Sequence, residues 1–343
     1  MKTSPVCRLI LLSTLGAAVT ASAWDYEGHR MVNQVALAAL PADFPAFVRE
    51  PANAERIAFL AGEPDRWRNS ADLPIKHYNS PDHYLDLEQL AEAGLSAETV
   101  SAMRYVFATQ FASGRAVNPG GYASFDAAKN TDRTREWPGF APWAITEYYG
   151  KLKSAFAYLK VFEEAGTPEE IANARANIIY IMGVMGHYVG DCAQPLHTTH
   201  HHNGWVGENP NGYTRWPGIH SWIDGGFINK AGLTTAALLP AVTPAQPLAL
   251  APAAGGRDRF FSAVMNYVVA QQKLVEPFYA LEKKGVFKSE VAATSVEGQD
   301  FIKARLLTGG QMLGAIWITA WKNAGPDAYL KAELLKRAAR NSP

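Results

Sequence analysis

Apolar residues recur every three or four positions along most of the chain, a pattern typical of amphipathic helices. One of the longest such stretches begins with Thr167, Pro168 and Glu170, a strong helix-start signal. Alternation with a period of two is scarce, and no strand-like pair flanks a tight turn. The pattern predicts helices over residues 29–40, 53–60, 96–111, 144–164, 168–189, 258–284, 296–324 and 327–341.

Three stretches interrupt this pattern. Residues 69–87 contain Pro74 and Pro81 and are predicted to form an irregular loop. Residues 118–142 are rich in Gly, Asp, Thr and Pro and are predicted to form a surface excursion, while the Ala- and Pro-rich residues 233–256 are predicted to be a connector. Because no internal repeat is visible, the expected architecture is a mainly α, single-domain, multi-helix bundle with long irregular loops.

Composition supports a folded protein without a strong overall charge. Hydrophobic residues make up 48% of the 343 positions, which is ample for a buried core. Lys plus Arg equals Asp plus Glu at 32 each, so no overall field attracts the protein to nucleic acid or to an anionic membrane. An anionic substrate would have to be held by a local site.

The first 23 residues have the features of a secretory signal peptide. Lys2 and Arg8 form a basic region, an apolar run follows, and Ala21 to Ala23 is a small-residue cleavage motif. Cleavage there makes Trp24 the first residue of a mature chain over residues 24–343, predicted to be secreted or periplasmic with no membrane span. Cys192 is then the one remaining cysteine, either a metal ligand or, as we favour, a small buried residue.

Five possible metal ligands fall within 38 residues in the middle of the chain. Two of them, His187 and Asp191, are four positions apart, which puts both on one face of a helix, and His220 and Asp224 repeat that spacing. His197 follows Pro195, which bends or ends the first helix. Imidazole and carboxylate are ligands of the types that Zn²⁺ takes, and the density predicts a metal site.

With other motifs, this cluster resembles the S1/P1 nucleases, which belong with the bacterial zinc-dependent phospholipases C in an all-α superfamily. The likeness covers residues 24–224 and rests on the motifs at Trp24, Gly28-His29, Pro64-Asp65, His83 to Asp86, His187 to His197 and His220 to Asp224. It implies a phospholipase C/P1 nuclease-like fold and three Zn²⁺. One ion would be held by Asp65, His83, His187 and Asp191, a second by Trp24, His29 and Asp191, and a third by His197, His220 and Asp224.

The resemblance implies three further roles. Trp24 would chelate through its free α-amino group and carbonyl oxygen, since an α-amino pKa of about 7.7–8.0 makes its proton easy to displace. Asp65 and Asp191 would form a catalytic group with Arg68, a basic residue near the phosphate whose alternative is a solvated loop position. Tyr84 would stack a base and Asp86 would bond its edge, although Tyr84 could instead be a buried structural tyrosine.

Other histidines compete for these roles, and the chain departs from the family pattern in places. His77 is an alternative to His83, which is preferred because Asp86 follows it, and residues 200–202 form a histidine run to which no ligand role is assigned. Ala193 stands where the nucleases usually carry a His, and the Gly-Gly-Asn common after the third-site histidine is missing. These departures concern the base and phosphate contacts more than the metals.

Three functions compete on this sequence. The leading one is an exported zinc-dependent phosphodiesterase that cleaves single-stranded DNA or RNA, and also 3′-nucleotides, to 5′-phosphate products through a hydroxide shared by the close metal pair. The alternative is a zinc-dependent phospholipase C; the short interval between Trp24 and His29 and the carboxylate of Asp224, in place of Glu, favour the nuclease. The third is a non-catalytic zinc-binding envelope protein. No stable protein partner is implied.

Overall fold

The computed structural model describes residues 24–118 and 127–341, and within these ranges the chain forms helices and no strand. The signal peptide predicted over residues 1–23 lies outside the described residues. The α-helices are α1 Tyr26–Ala39, α2 Pro51–Leu60, α3 Glu63–Arg68, α4 Leu73–Asn79, α5 Leu87–Glu92, α6 Arg104–Val117, α7 Ala141–Ala165, α8 Pro168–Asp191, α9 Ile219–Ser221, α10 Ile228–Ala231, α11 Thr235–Leu238, α12 Arg259–Gln272, α13 Val275–Lys284, α14 Val296–Asn323 and α15 Ala328–Asn341.

The longest helices form the centre of the molecule. α7 packs along α8 and α14, and α1 lies against α14 and α8. Helix α8 becomes more deeply buried toward its C-terminal end, and residues 182–199, which include the following turn, are all buried. None of the helices in the described ranges has both the length and the apolar character needed to span a bilayer.

The long periodic helices were predicted correctly. α7, α8, α14 and α15 begin and end within three residues of the predicted bounds. The start signal of α8 is confirmed as a capping box, because Thr167 Oγ1 accepts from the Glu170 N–H and the Glu170 carboxylate accepts from the Thr167 N–H. Cys192 is a buried free thiol, as favoured, and burial raises its pKa well above the usual value.

Three element predictions were wrong. Residues 69–87 contain α4 and a 3₁₀ turn at Ser80–His83, because Pro74 and Pro81 stand in first turns, where a missing N–H costs nothing. The helix predicted to begin at Ser96 begins only at Arg104, because residues 96–100 form a turn closed by the Thr99 N–H on the Ser96 carbonyl. The long helix predicted over 258–284 breaks into α12 and α13 three residues before Pro277.

The two remaining irregular segments are anchored to the helices. Of residues 118–142, only 118 and 127–142 are described, so the predicted contact of Phe125 lies outside the described residues. Phe140 is buried and Trp137 packs against the core. In the connector, the Ala245 N–H donates to the Ala39 carbonyl at 2.8 Å and the Leu248 N–H donates to Thr319 Oγ1 at 2.8 Å, so this segment is tied to α1 and α14.

Candidate metal centre

The buried end of α8 carries the first two candidate ligands, and the other helices converge on it. His187 and Asp191 lie one turn apart, with His187 Nε2 at 3.3 Å from Asp191 Oδ2. Helix α1 brings the His29 ring into a stack on His187, with centroids 3.7 Å apart, and His29 Nε2 lies 3.4 Å from Asp191 Oδ1. Asp191 is therefore the meeting point of two helices.

Asp65 and His83 reach the same point, His83 from the segment over residues 69–87 that the sequence predicted to be a loop and Asp65 from just before it. His83, at the end of the Ser80–His83 turn, places Nδ1 at 3.1 Å from Asp191 Oδ2 and 2.9 Å from His187 Nε2. Asp65 Oδ1, from α3, lies 3.9 Å from His83 Nδ1 and 3.9 Å from His187 Nε2. Asp65, His83 and His187 form the first group, beside Asp191, and His29, His187 and Asp191 form the second.

His197, His220 and Asp224 form a third group beside the first two. His220 Nε2 lies 3.0 Å from both His197 Nε2 and Asp224 Oδ2. Asp224 stands in a π-helical segment, Trp222–Phe227, of a kind found mostly at functional sites. His197 Nε2 lies 3.9 Å from Asp191 Oδ1, so the third group adjoins the other two.

These separations fit ligands that share cations. Two ligands each about 2.0–2.2 Å from one zinc ion lie roughly 3–3.5 Å apart in tetrahedral geometry. The distances of 2.9–3.4 Å that Asp191 and its histidine neighbours span fall in or beside that range. Asp65 stands somewhat further out at 3.9 Å. The arrangement therefore fits a pair of metal ions joined by Asp191, with a third ion close by.

Buried polar atoms in the cluster need a cation to satisfy them. Burying an unpaired carboxylate or imidazole nitrogen costs several kcal/mol or shifts its protonation. Atoms without a hydrogen-bond partner among the described residues include both oxygens of Asp191, both nitrogens of His29 and Asp224 Oδ2. In a metal centre, such atoms are bonded to the ions. A concentration of unpaired ligand atoms at one point therefore fits a metal site.

Hydrogen bonds on the side of each ligand away from the cluster leave its remaining lone pairs pointing toward the centre of the cluster. The Nδ1–H of His187 donates to the Ala61 carbonyl at 2.6 Å, and the Nδ1–H of His197 donates to the His83 carbonyl at 2.8 Å. Both assignments follow because a carbonyl oxygen can only accept. Gln194 Nε2 donates to Asp224 Oδ1 at 2.7 Å and leaves Oδ2 facing the histidines. Such outer partners are typical of metal-ligating histidine and carboxylate groups.

Burial controls the protonation of the ligands. It lowers the pKa of His220 to about 3 and the pKa values of His29, His83 and His197 below the usual range, which keeps these imidazoles neutral. Burial also raises the pKa of Asp224 to about 7. For Asp191, burial opposes ionisation, but His187 and His197 outweigh it and hold the pKa well below the usual value.

Trp24 packs against the same end of α8. Its side chain is fully buried, and its indole N–H donates to the Gly190 carbonyl at 2.8 Å. The next residue, Asp25, donates its N–H to the Asp224 carbonyl at 3.0 Å and caps the start of α1. The chain therefore passes within reach of the second and third groups at the point where the signal peptide is predicted to be cleaved.

The predicted phosphate and base contacts lie beside the ligands. Arg68 Nε lies 3.0 Å from Asp65 Oδ1, which holds the guanidinium at the rim of the first group. The Tyr84 carbonyl accepts from the Ala141 N–H at 3.2 Å, and Gly139, with φ +106°, lies so close to it that a Cβ there would stand 2.0 Å from the carbonyl oxygen. Tyr84 is thus fixed by a backbone strap from residues 138–141.

Asp86 is not among the side chains of the three ligand groups. Its side chain is buried, Oδ2 accepts from Gln89 Nε2 at 2.9 Å, and Oδ1 has no partner among the residues described. Burial, reinforced by Glu88 and Glu92, raises its pKa well above the usual value. A carboxyl with one unpartnered oxygen has the hydrogen-bonding capacity that a base edge needs.

His77, His200 and His201 stand apart from the three groups. His77 is exposed, and its Nδ1 bonds the Asp132 carbonyl at 2.7 Å. Glu88, His200 and His201 approach one another closely enough to suggest a metal site. However, His201 Nδ1 accepts from the Val206 N–H at 3.0 Å, so the proton sits on Nε2 and leaves no lone pair for a metal.

Glu88 acts instead as an anchor for this loop. Its Oε1 accepts from Thr199 Oγ1 at 2.6 Å and from Gln272 Nε2 at 3.3 Å, and its Oε2 accepts from the His200 N–H at 3.2 Å. The sequence analysis did not find this anchor, nor the roles of Ala61 and Gln194 in orienting ligands, because each joins positions distant along the chain. Gln194 lies within the motif from His187 to His197, but that motif gave no signal for its partner.

A scan against protein-family models finds no match to this sequence, and a search of curated proteins finds none either. The site geometry is accordingly the main evidence on function. The protein is mainly α and contains buried groups of histidine and aspartate that could hold metal ions. A functional proposal has to explain these groups.

Proposed function

We propose that this protein is an exported, zinc-dependent phosphodiesterase of the phospholipase C/P1 nuclease-like fold, acting on single-stranded nucleic acid. The observation that carries the proposal is the position of Asp191, whose two oxygens face His29 on one side and His83 and His187 on the other. A carboxylate between two imidazole groups is the arrangement expected of a bridging metal ligand.

Three Zn²⁺ ions fit the three groups by ligand type and spacing. When bound, they would supply water activated for attack and positive charge to stabilise the phosphate and the leaving oxygen. Among the residues that the structure describes, the second group offers His29, His187 and Asp191 as side-chain ligands, and Trp24 is packed beside it. In the proposed mature chain, the Trp24 α-amino group and carbonyl oxygen complete that set.

The protein's own side chains would orient the substrate. Arg68 at the rim of the first group can bind a phosphate oxygen while Asp65 holds its guanidinium in place. Tyr84, fixed by the strap over residues 138–141, presents an aromatic ring, and stacking on such a ring is worth about 1–3 kcal/mol per base. Asp86 offers a free oxygen to the base edge. Because none of these contacts requires one particular base, they support a sequence-tolerant enzyme.

The assay that tests this proposal compares substrates on one zinc-loaded preparation that begins at Trp24. Single-stranded DNA or RNA should be cut to 5′-phosphate ends, 3′-nucleotides should lose phosphate, and phosphatidylcholine vesicles should remain intact. Arg68→Lys should lower activity on single strands by about 10-fold or more, since lysine cannot make the bidentate contact. Cleavage of the lipid alone would identify a phospholipase C, and one tightly held zinc without either activity would identify a non-catalytic zinc protein.

A further inference from the structure

His202 lies behind the third ligand group, although it is not one of its ligands. It belongs to the loop after the Pro195–Thr198 turn, its side chain is half-buried, and its ring packs near that of His220 with centroids 6.0 Å apart at an angle of 57°. Nothing in the local sequence distinguishes it from its neighbours His200 and His201. Its position next to a ligand does distinguish it.

The hydrogen bonds fix which nitrogen of His202 carries the proton. Nδ1 lies 3.3 Å from the Thr199 carbonyl oxygen, which can only accept, so Nδ1 is the donor. In the neutral ring, Nε2 then keeps a lone pair and can accept a hydrogen bond. His202 is therefore an acceptor beside His220.

His220 presents the complementary need. Its Nε2 faces His197 and Asp224 at 3.0 Å and is the nitrogen that a metal would take, so its proton belongs on Nδ1. That Nδ1 is buried and has no hydrogen-bond partner among the described residues. The corresponding N–H groups of His187 and His197 both donate to carbonyl oxygens. His220 thus lacks the outer partner that two other ligand histidines have.

We propose that, when the third metal ion is bound, the neighbouring rings of His202 and His220 close up so that His202 Nε2 accepts a hydrogen bond from the Nδ1–H of His220 and thereby holds this ligand for the ion. His202 is then a positioning residue, and its role rests on the metal centre described under the proposed function. The bond selects the tautomer of His220 and orients its ring, and it makes the imidazole a better donor to a cation.

The loop is built to hold His202 in that position. Glu88 accepts hydrogen bonds from the Thr199 hydroxyl at 2.6 Å and from the His200 N–H at 3.2 Å. Tyr279 donates its hydroxyl proton to the His201 carbonyl. These contacts fix the Thr199 carbonyl, which in turn sets the ring of His202, so the anchor at Glu88 is connected to His202 through two hydrogen bonds.

Two substitutions distinguish the roles of the two ring nitrogens of His202. In His202→Gln, the amide oxygen stands close to where Nε2 lies and can still accept from His220. In His202→Asn, the shorter amide reproduces the contact of Nδ1 with Thr199 but cannot reach His220. His200→Gln is the matched control, because His200 stands in the same loop and its ring contacts His201.

The measurement is a chelator competition on the zinc-loaded proteins, with zinc release counted per chain. His202→Asn should release one of the zinc equivalents at about 10–100-fold lower chelator strength than the native protein, the usual cost of losing an outer partner. His202→Gln and His200→Gln should stay close to native, and the metal-stripped variants should unfold at similar temperatures.

Each other outcome has a definite meaning. Native-like zinc retention by His202→Asn, or equal losses in the Asn and Gln variants, would overturn the role of His202 while leaving the metal centre intact. A native protein that takes up no zinc would overturn the proposed function and this inference together. Early zinc release accompanied by a lower unfolding temperature of the metal-stripped His202→Asn protein would show a structural role instead.

Discussion

Asp191 is the residue on which the proposed chemistry depends most. It is fully buried, and in the described part of the chain it pairs with histidines and with no lysine or arginine side chain. A carboxylate in such a place is stable only with a strong counter-charge. Two cations, one on each oxygen, would provide that charge, so in the proposed centre the loss of one carboxylate should affect two ions.

Asp191→Asn tests this dependence. We expect the protein to lose most of two zinc equivalents and to keep the third. Activity on single-stranded DNA should fall by more than about 10²-fold, which exceeds the usual cost of losing a residue that only hydrogen-bonds to a metal ligand. The unfolding temperature of the zinc-treated protein should fall as well, because ions that bind only the folded state stabilise it. Zinc content by elemental analysis and calorimetric unfolding supply the two readouts.

Asp43→Asn is the control for this substitution, since Asp43 is exposed and outside the site. It should match the native protein in zinc content, activity and unfolding temperature. A fully active Asp191→Asn protein with native zinc content would show that Asp191 does not bridge two ions.

The site residues differ in how far the sequence could predict them. The pairs His187/Asp191 and His220/Asp224 follow from helical spacing alone. His29, Asp65 and His83 come from distant segments, and only the family resemblance proposed them. Their convergence on Asp191 depends on tertiary packing that no local pattern encodes. The pairing of His202 with His220 was likewise invisible, because three adjacent histidines are alike until the loop is folded.

At the scale of elements, the approach of α1 to α8 positions the second ligand group. Gly186 lets the two helices come together, because a Cβ at this position would stand 1.7 Å from the Asn33 side-chain oxygen. Asn33 in turn donates to the Ile57 carbonyl at 2.8 Å and the Gly183 carbonyl at 3.0 Å, joining α1, α2 and α8. The stack of His29 on His187 is a consequence of this close packing.

Gly186→Ala should therefore damage both fold and site. The added methyl group must displace Asn33 and break its buried hydrogen bonds, which we expect to cost about 1–3 kcal/mol for overpacking and a similar amount for the unpaired amide. Zinc affinity at the second group should fall because His29 moves with α1. Urea unfolding of the metal-free protein and zinc titration measure the two effects.

Gly150→Ala on α7 provides the comparison, since nothing lies within 4 Å of a Cβ there. It should raise the free energy of unfolding by about 0.5–1 kcal/mol, as alanine does in an exposed helix interior, with no effect on zinc binding. If Gly186→Ala is as stable and binds zinc as well as Gly150→Ala, the close α1–α8 contact does not position the site.

The elements that the sequence predicted well are the long ones. Helices α7, α8 and α14 repeat the apolar period often enough to outweigh local exceptions. The short helices α3 and α4 were missed, because a proline that begins a helix and one that ends a helix look alike in a single sequence. This error matters for function, since Asp65 lies on α3 and the turn carrying His83 follows α4.

At the scale of the whole molecule, the buried ligand groups lie where helices and turns from distant parts of the chain meet. They draw on α1, α3, α8, the turns at Ser80–His83 and Pro195–Thr198, and the π-helical segment Trp222–Phe227. Cys192 is a free cysteine, so cross-linking by a disulfide does not contribute in the described part of the chain. Metal ions that join these distant segments would take the place of cross-links, because binding free energy at such a site adds to folding free energy.

The central claim, a three-metal centre joined by Asp191, is tested most directly by anomalous X-ray scattering at the zinc edge from crystals of the chain that begins at Trp24. The account predicts three zinc positions: two on either side of the Asp191 carboxylate, one of them also bound by the Trp24 α-amino group, and a third between His197, His220 and Asp224. One extra residue ahead of Trp24 should weaken only the peak beside His29. A single zinc, or zinc positions that leave Asp191 without a metal contact, would contradict the account.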